Sequence, residues 1–213
     1  MERYNQAMLE LKQELVAAAL SLFRRGYSFG TAGNISIRLG DRVSITPTNS
    51  SFEKLTVEGL AEMDLDGVVI GPNKPSKEAH FHLAAYRARP NSRAVVHLHS
   101  TYATALACLR DLDLENALPS LTPYFAMRIP RLPVIEYFPP GDFRLAPEVE
   151  EKAADSPALL LRNHGSIAIG ATLSEAAALA EEIEEQARLF FLLGDRARPL
   201  SPEQVAELRR KYR

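Results

Sequence analysis

Two histidines with a single residue between them, His97 and His99, have the types and spacing of metal ligands. They lie in residues 94–100 (AVVHLHS), whose valines and leucine predict a buried β-strand. On a strand, side chains two positions apart point to the same face, so we expect both imidazoles to converge on one point. A third histidine, His164, follows the leucine-rich residues 159–161. Three histidines that leave one coordination position open are typical of a catalytic zinc site, which predicts one ion per subunit.

The alternative is that the paired histidines are core residues satisfied by hydrogen bonds, which is the ordinary situation of a lone histidine. Burying two polar rings without partners on one face of an otherwise apolar strand would be costly. A metal ion satisfies both rings at once. The pattern therefore favours a metal site over a polar core.

Glu78, in residues 74–79 (KPSKEA), is the candidate acid/base. A carboxylate close to a metal-bound carbonyl group could move a proton; the alternative is a glutamate that is favourable near a helix N-terminus. His80 and His82 share the helix that we predict over residues 76–87, but residues two positions apart do not share a helix face. We therefore predict that neither is a ligand, and we expect His82 to be a buried polar residue and His80 to lie on the surface.

Residues 30–34 (GTAGN) resemble an anion-binding loop, because glycines let backbone N–H groups approach a phosphate. The segment is not a P-loop, since the lysine and the Gly-Lys-Ser/Thr ending are missing, and a simple turn is the alternative. Residues 46–49 (TPTN) and 76–77 (SK) add hydroxyls, an amide and a cation. These groups suit a cluster of anionic oxygens.

The elements that must position these residues alternate along the chain. Apolar periodicity and turn signals predict strands at residues 35–38, 43–46, 62–65, 68–70, 94–100, 132–136, 158–161 and 167–169. They predict helices at residues 3–25, 76–87, 101–109, 146–154, 174–193 and 202–211. Strands joined by tight turns and interspersed with helices favour a mixed or mainly antiparallel sheet covered by helices. The chain has 213 residues and no repeat or linker, so we expect one domain.

Composition excludes several classes of function. The formal net charge is −2 and basic residues are scattered, which gives no bulk affinity for nucleic acid or an anionic membrane. No segment reaches the roughly 18–20 apolar residues of a transmembrane helix, and residues 15–23 predict an amphipathic helix rather than a signal peptide. The single cysteine, Cys108, excludes an internal disulfide and suits a reducing compartment. We expect a cytoplasmic protein that acts on a small molecule.

Taken in order, five segments resemble the class II aldolase family that includes L-fuculose-1-phosphate aldolase and L-ribulose-5-phosphate 4-epimerase. The segments are residues 30–36 (GTAGNIS), 46–48 (TPT), 75–78 (PSKE), 96–101 (VHLHST) and 163–165 (NHG). The resemblance covers nearly the whole chain and makes residues 1–213 one class II aldolase-like domain. It implies a three-layer α/β/α fold with a largely antiparallel central sheet. It also implies a four-fold symmetric homotetramer with active sites between neighbouring subunits.

By position, the resemblance implies a role for each motif residue. His97, His99 and His164 correspond to zinc ligands, and Glu78 corresponds to the acid/base. The residues that correspond to the phosphate pocket are Thr31, Gly33, Asn34, Thr48, Asn49, Ser76 and Lys77.

Two tyrosines resemble family residues outside these segments. Tyr124, in residues 122–125 (TPYF), is similar to a tyrosine that reaches a neighbour's site as a proton donor; an interface packing residue is the alternative. Tyr212 corresponds to a second family tyrosine, but the tail aligns poorly and a disordered end is the default there.

Two positions depart from the aldolase pattern. Aldolases of this family usually have a glycine where Asn49 lies and a hydroxyl residue where Lys77 lies. Lys77, together with residues 122–128 (TPYFAMR) and 193–196 (LGDR), looks more like the relatives that decarboxylate 3-oxo-tetronate 4-phosphates. Those substrates carry a carboxylate as well as a phosphate, so an added cation suits them.

The residues and the resemblance together predict a zinc-dependent carbon–carbon lyase acting on a phosphorylated sugar or sugar acid. The first interpretation is a class II aldolase of the fuculose-1-phosphate type, in which zinc is the Lewis acid, the intermediate is a metal-bound enediolate and Glu78 moves the proton. Its products would be dihydroxyacetone phosphate and an aldehyde.

Three alternatives stay open. A 3-oxo-tetronate 4-phosphate decarboxylase would need the same metal but no base for cleavage. A pentulose-phosphate 4-epimerase ranks third, because it requires further acidic and histidine groups that have no counterpart in this sequence. The non-enzyme alternative is a binding module like the adducin head domain, against which the retained histidines and Glu78 argue.

Overall fold

The computed structural model of the chain describes residues 2–211, in which eight strands form one sheet. The strands are β1 (Asn34–Leu39), β2 (Arg42–Ile45), β3 (Ala61–Asp64), β4 (Val69–Ile70), β5 (Ala94–Leu98), β6 (Val134–Ile135), β7 (Ala158–Leu161) and β8 (Gly165–Gly170). The helices are α1 (Glu2–Arg24), α2 (Ala79–Ala88), α3 (Thr101–Ala107), α4 (Pro123–Arg128), α5 (Leu145–Asp155), α6 (Leu173–Leu193) and α7 (Pro202–Lys211). Short 3-10 helices lie at Phe52–Lys54 and Gly194–Arg196. Among the described residues, no helix has the length and apolar composition needed to cross a bilayer.

The strands lie side by side in the order β4-β3-β2-β1-β5-β8-β7-β6. Neighbouring strands are antiparallel, except that β6 and β7 are parallel. The turn between β1 and β2 contains Gly40 at φ +58°, a left-handed conformation that suits a two-residue hairpin turn. The predicted largely antiparallel sheet is confirmed, and β1, β5 and β8 lie in its middle.

Helices cover both faces of the sheet, and the alternation of side chains along each strand divides the core in two. Val96 and Leu98 of β5 pack with residues of α1, α3 and α6. Val95 packs instead with residues of α2 and α5. His97 shares the face of Val95, because side chains two positions apart on a strand point the same way. The predicted three-layer α/β/α fold is confirmed.

The helix α2 begins later than the sequence predicted, at Ala79 rather than at residue 76. Residues 74–76 are held instead by backbone hydrogen bonds to residues 46–48. This pairing brings two of the predicted anion-binding segments side by side. It also leaves Glu78 at the N-cap of α2, where its backbone is no longer helical.

The helix α4 was not predicted. Two ordinary start signals are present: the Thr122 hydroxyl accepts a hydrogen bond from the Phe125 N–H, and Pro123 occupies the first turn. Because prolines lie on both sides of residues 123–128, we expected an irregular loop there.

Two predicted strands are shorter than expected. Of residues 132–136, only Val134–Ile135 joins the sheet, and the strand that holds His97 ends at Leu98. His99 therefore lies just beyond β5, so the same-face rule for strands does not by itself determine where its ring points.

Candidate metal centre

Four side chains from three separate parts of the fold meet at the carboxyl end of β5. His97 lies on β5, His99 follows it, His164 lies between β7 and β8, and Glu78 caps α2. One nitrogen or oxygen atom from each of the four lies within 4.8 Å of all the others. The structure thus brings the three histidines and Glu78 to one point.

The two residues that flank His164, Asn163 and Gly165, have the backbone properties that its position in the fold requires. Asn163 has φ +56°, a left-handed conformation that asparagine tolerates better than most residues. At Gly165, a Cβ atom would lie 2.3 Å from the carbonyl oxygen of Leu98, so any side chain would push β8 away from β5. This close approach puts the rings of His164 and His99 4.7 Å apart, centroid to centroid.

His97 is oriented by a backbone hydrogen bond. Its Nδ1 lies 2.9 Å from the carbonyl oxygen of Ser166, which can only accept, so Nδ1 carries the proton. In the neutral ring, Nε2 then presents a lone pair, and it lies 2.9 Å from Nε2 of His99. A ligating histidine whose other nitrogen donates to a carbonyl is the usual arrangement in metal sites.

Burial keeps His97 and His99 neutral. It lowers the pKa of His97 well below the ordinary value, although the nearby Glu78 acts in the opposite direction. Burial likewise lowers the pKa of His99 to about 4. Both rings are therefore uncharged at neutral pH, which is the state that can coordinate a metal.

Glu78, in contrast to these two rings, is charged. Burial raises its pKa, but His97, His164 and the amide of Asn34 together lower it more, so that the carboxyl group is ionised. The Asn34 amide donates a hydrogen bond to Glu78 Oε2 at 2.8 Å. An ionised carboxylate therefore lies beside the neutral imidazoles of His97 and His99.

Two buried polar atoms of this cluster lack hydrogen-bond partners in residues 2–211, which indicates whether the cluster suits a metal ion. Within the described part of the chain, Glu78 Oε1 and His164 Nε2 are buried and have no hydrogen-bond partner. They lie 3.2 Å apart. A buried polar atom without a partner costs about 1–3 kcal/mol, and neutral imidazoles with a carboxylate are ligands for divalent transition metals. The residues fit such an ion.

A pocket of about 200 Å³ opens beside the cluster and is lined in part by Glu78, His99 and His164. All the residues of the expected phosphate pocket line it too: Thr31, Gly33, Asn34, Thr48, Asn49, Ser76 and Lys77. Pro140 also lines it, which sequence analysis missed because residues 139–142 predicted only a turn. A larger cleft of about 850 Å³, elsewhere on the surface, contains none of the predicted site residues.

Backbone conformation explains two positions in this pocket. Gly33 has φ +83°, and a Cβ atom there would lie 2.7 Å from the carbonyl oxygen of His97, so the loop rests directly on β5. Asn49 has φ +57°. Glycine and asparagine are the residues that adopt this left-handed conformation most readily, so Asn49 can take the backbone conformation that a glycine would allow at this position.

Lys77 adds a positive charge to the pocket. Its side chain is exposed, and within residues 2–211 its ammonium group has no ion pair or hydrogen bond. The loop at residues 139–142 packs beside it, since a Cβ atom on Gly141 would lie 3.5 Å from the Lys77 Cβ. Among the residues that the structure describes, a cation without a protein partner thus lines the pocket beside Glu78, His99 and His164.

Tyr124 stands apart from the pocket. Tyr124 is in the first turn of α4, is 61% exposed, and lies under the Arg128 guanidinium, 5.7 Å from the ring centroid. It is not among the residues that line the pocket. Tyr212 lies outside the described residues.

The sequence is similar to proteins of known family. The family described as Class II Aldolase and Adducin N-terminal domain matches residues 13–191. A Haemophilus influenzae protein named 3-oxo-tetronate 4-phosphate decarboxylase is 47% identical over 202 residues, which cover 94% of this chain and 96% of that protein. A Methanocaldococcus jannaschii protein named L-fuculose phosphate aldolase is 34% identical over 181 residues, which cover 85% of this chain and 96% of that protein.

The fold is similar as well. The crystal structure of YgbL from Escherichia coli matches with a TM-score of 0.93 and 45% identity, and the match covers 95% of this chain and 99% of YgbL. Sequence, architecture and the cluster of histidines with Glu78 therefore lead to one conclusion: the chain belongs to the Class II Aldolase and Adducin N-terminal domain family.

Proposed function

We propose that the chain is a metal-dependent carbon–carbon lyase that decarboxylates a sugar acid phosphate of the 3-oxo-tetronate 4-phosphate type. The observation that carries the proposal is Lys77, a cation without a protein partner in residues 2–211, in a pocket shared with the metal cluster. A substrate with a carboxylate beside its phosphate gives this cation a partner.

The relatives support this substrate class. The protein named as a decarboxylase is 47% identical to the chain, and the protein named as an aldolase is 34% identical. This order reverses the one that sequence analysis favoured. Both interpretations use the same metal and phosphate residues, so the features that favoured the decarboxylase were Lys77 and residues 122–128 and 193–196.

The pocket suits a substrate with two charged ends. We assign the phosphate to the loop at residues 31–34 together with Thr48, Asn49 and Ser76, which offer hydroxyls, an amide and backbone N–H groups. We assign the carboxylate to Lys77. Holding both ends leaves the carbonyl group of the substrate beside Glu78 and the histidines.

The chemistry of a 3-oxo acid then determines the step. The bond between C1 and C2 breaks, C1 leaves as carbon dioxide, and the electron pair passes into an enediolate between C2 and C3. Protonation of C2 gives dihydroxyacetone phosphate. A divalent metal ion bound by the cluster supplies Lewis-acid polarisation of the carbonyl oxygen.

The chain offers two groups that could carry the proton to C2. One is Glu78: because its carboxyl group is ionised, it would first take up a proton from water and then deliver it to C2 from Oε1, which is buried and has no hydrogen-bond partner among the described residues. The other is Tyr124, supplied by a neighbouring subunit of the homotetramer that the family resemblance implies. We propose zinc as the metal, because three imidazoles and a carboxylate are a common zinc ligand set. A cytoplasmic location stays an expectation.

The second candidate function is aldol cleavage of a ketose phosphate. It is favoured by the same metal cluster and by the 34% identity to the protein named L-fuculose phosphate aldolase. In that reaction Lys77 would have only the phosphate as a partner. The epimerase interpretation stays third, and an adducin-head-like module would have no need for the cluster.

One assay separates these functions. The zinc-loaded protein is incubated with a 3-oxo-tetronate 4-phosphate and, separately, with phosphorylated ketoses, and carbon dioxide and aldehyde are measured independently. We expect carbon dioxide and dihydroxyacetone phosphate from the sugar acid. Aldehyde from a ketose phosphate, without carbon dioxide from any sugar acid, would overturn the proposal in favour of the aldolase.

A further inference from the structure

A row of polar side chains lies buried between β1 and α2, behind the metal cluster. Asn34 and Ser36 are two positions apart on β1 and so share one face of the sheet. His82 and Tyr86 are four positions apart on α2 and so share one face of the helix, in line with Glu78 at the N-cap. The strand and the helix thus present matched rows to each other.

Hydrogen bonds join these side chains into one chain. Asn34 Nδ2 lies 2.8 Å from Glu78 Oε2, and Asn34 Oδ1 lies 2.5 Å from His82 Nε2. His82 Nδ1 lies 2.8 Å from Ser36 Oγ, which lies 2.8 Å from the Tyr86 hydroxyl. All five residues are buried, and His82 and Ser36 are completely inaccessible to solvent.

The carboxylate at one end determines the direction of every bond. Ionised Glu78 only accepts, so the Asn34 amide group donates to it and the Asn34 oxygen faces His82. His82 must therefore donate from Nε2, which leaves Nδ1 to accept from the Ser36 hydroxyl. Ser36 in turn accepts from the Tyr86 hydroxyl. Burial lowers the pKa of His82 to about 3, so the ring stays neutral and keeps this single tautomer at neutral pH.

We infer that His82, Ser36 and Tyr86 form a positioning chain that locks the Asn34 amide against Glu78 Oε2 and thereby keeps Glu78 Oε1 aimed at the metal ligands. Every donor in the chain points toward the carboxylate, and aligned hydrogen bonds of this kind reinforce one another. The inference rests on the metal site of the proposed function, but not on which bond the enzyme cleaves.

The hydrogen-bond geometry explains why the chain requires a histidine at position 82 and a serine at position 36. Without the Nε2–H of His82, the Asn34 amide could rotate and present its oxygen to the carboxylate, which is repulsive. Without Ser36, the remaining ring nitrogen of His82 would lose its donor. Outer-shell partners that orient a ligand typically contribute 10–100-fold to metal affinity or activity.

The test measures metal binding to the metal-free protein and uses no substrate. His82→Leu removes the donor to Asn34, and His82→Gln is the conservative variant that can still donate an N–H to the same oxygen. Tyr86→Phe and Ser36→Ala shorten the chain from its far end. Ser44→Ala is the matched control, because Ser44 is an equally buried serine on the neighbouring strand whose hydroxyl donates only to the backbone carbonyl of Ala61.

Zn²⁺ affinity is measured by competition with a chromophoric chelator, and the absorption spectrum of the Co²⁺-loaded protein reports the coordination. We expect His82→Leu to weaken Zn²⁺ binding about 10–100-fold and to alter the Co²⁺ spectrum. His82→Gln should recover most of the affinity, Ser36→Ala and Tyr86→Phe should weaken it less than His82→Leu, and Ser44→Ala should bind as the parent does. An unchanged Co²⁺ spectrum and unchanged affinity in His82→Leu would overturn the inference.

A second measurement does not depend on His82→Leu folding. Nitrogen-15 spectra of histidine-labelled protein, with His82 assigned by its loss in His82→Gln, should show His82 protonated on Nε2 and His97 protonated on Nδ1. His82 protonated on Nδ1, or charged at neutral pH, contradicts the chain. Normal metal binding and tautomers with no lyase activity on any substrate would instead reject the proposed function and leave the positioning chain standing.

Discussion

Asn34 lies directly opposite His97 where β1 pairs with β5. Both reach the same atom of a third residue: the Asn34 amide is 2.8 Å from Glu78 Oε2, and His97 Nε2 is 3.4 Å from it. The other oxygen, Oε1, faces His164 and has no hydrogen-bond partner in the described chain. The two oxygens of Glu78 therefore have different surroundings, and only one of them is held by the protein's own hydrogen bonds.

Removal of the metal should abolish activity and lower stability. A chelator is expected to inactivate the enzyme and Zn²⁺ to restore it. Because a ligand that binds only the folded state stabilises it, free Zn²⁺ at about 100 times its Kd should add about 2.7 kcal/mol to the free energy of unfolding. Full turnover after verified metal removal would reject the metal mechanism.

His99→Ala should lose more metal affinity than the roughly 10–100-fold that outer-shell changes cause, because it deletes a nitrogen of the cluster. His80→Ala is the matched control: His80 is a neighbouring histidine that packs against Phe143 and is not part of the cluster. Metal analysis of both purified variants checks this. Equal metal content in the two would mean that His99 is not a ligand.

Glu78→Gln should separate chemistry from metal binding. The substitution keeps the size of the side chain but removes its charge and its capacity to carry a proton. We expect turnover to fall about 10²–10⁴-fold, the usual contribution of a general acid/base, while the three histidines keep the protein loaded at saturating Zn²⁺, although its Zn²⁺ affinity falls as in His82→Leu. Steady-state kinetics and metal content measure the two effects, and turnover at the parental rate would refute the role of Glu78.

Lys77→Ser should lower activity mainly on substrates that carry a carboxylate, because it removes the cation that we assign to that group. Losing a charge-assisted hydrogen bond costs about 1.5–3 kcal/mol, so kcat/KM for a 3-oxo sugar acid phosphate should fall roughly 10–100-fold. The loss should be smaller on a ketose phosphate, which has no carboxylate. Lys74→Ser is the control, since Lys74 is also exposed but does not line the pocket. Equal losses on both substrates would remove the assignment of Lys77 to the carboxylate.

Gly165→Ala should be destabilising because the added methyl group would lie 2.3 Å from the Leu98 carbonyl oxygen. Overpacking of this kind costs about 1–3 kcal/mol. Gly59→Ala is a milder comparison, where the nearest contact is 3.2 Å away on the Thr56 side chain. Denaturant unfolding compares the two variants, and we also expect Gly165→Ala to bind metal more weakly because His164 is the preceding residue.

Much of the fold could be predicted from local signals. Period-two alternation indicated the β1–β2 hairpin, and the apolar stripes located α1 and α6 to within one or two residues. The helix α4 escaped because its start signals are short and lie among prolines. The start of α2 was misplaced because residues 74–76 are taken by a long-range pairing that no local pattern reports.

The site was predictable only in part, for a similar reason. The two-residue spacing of His97 and His99 predicted that both are metal ligands. However, His99 lies past the end of β5, and its ring meets that of His164 only because β5 pairs with β8. His82 was expected only to be a buried polar residue. The recurrence of polar side chains every four residues along α2, at Glu78, His82 and Tyr86, was the signal that could have revealed its partners.

Gly33 has one more consequence. Its backbone packs directly against the carbonyl group of His97. The distance between the loop at residues 31–34 and the histidines is therefore set by the main chain and not by side chains that can change rotamer. Under the proposed function, this fixed span favours compounds whose phosphorus and ketone carbon are a set number of bonds apart, and it leaves Lys77 and Pro140, which also line the pocket, to contact the rest of the substrate.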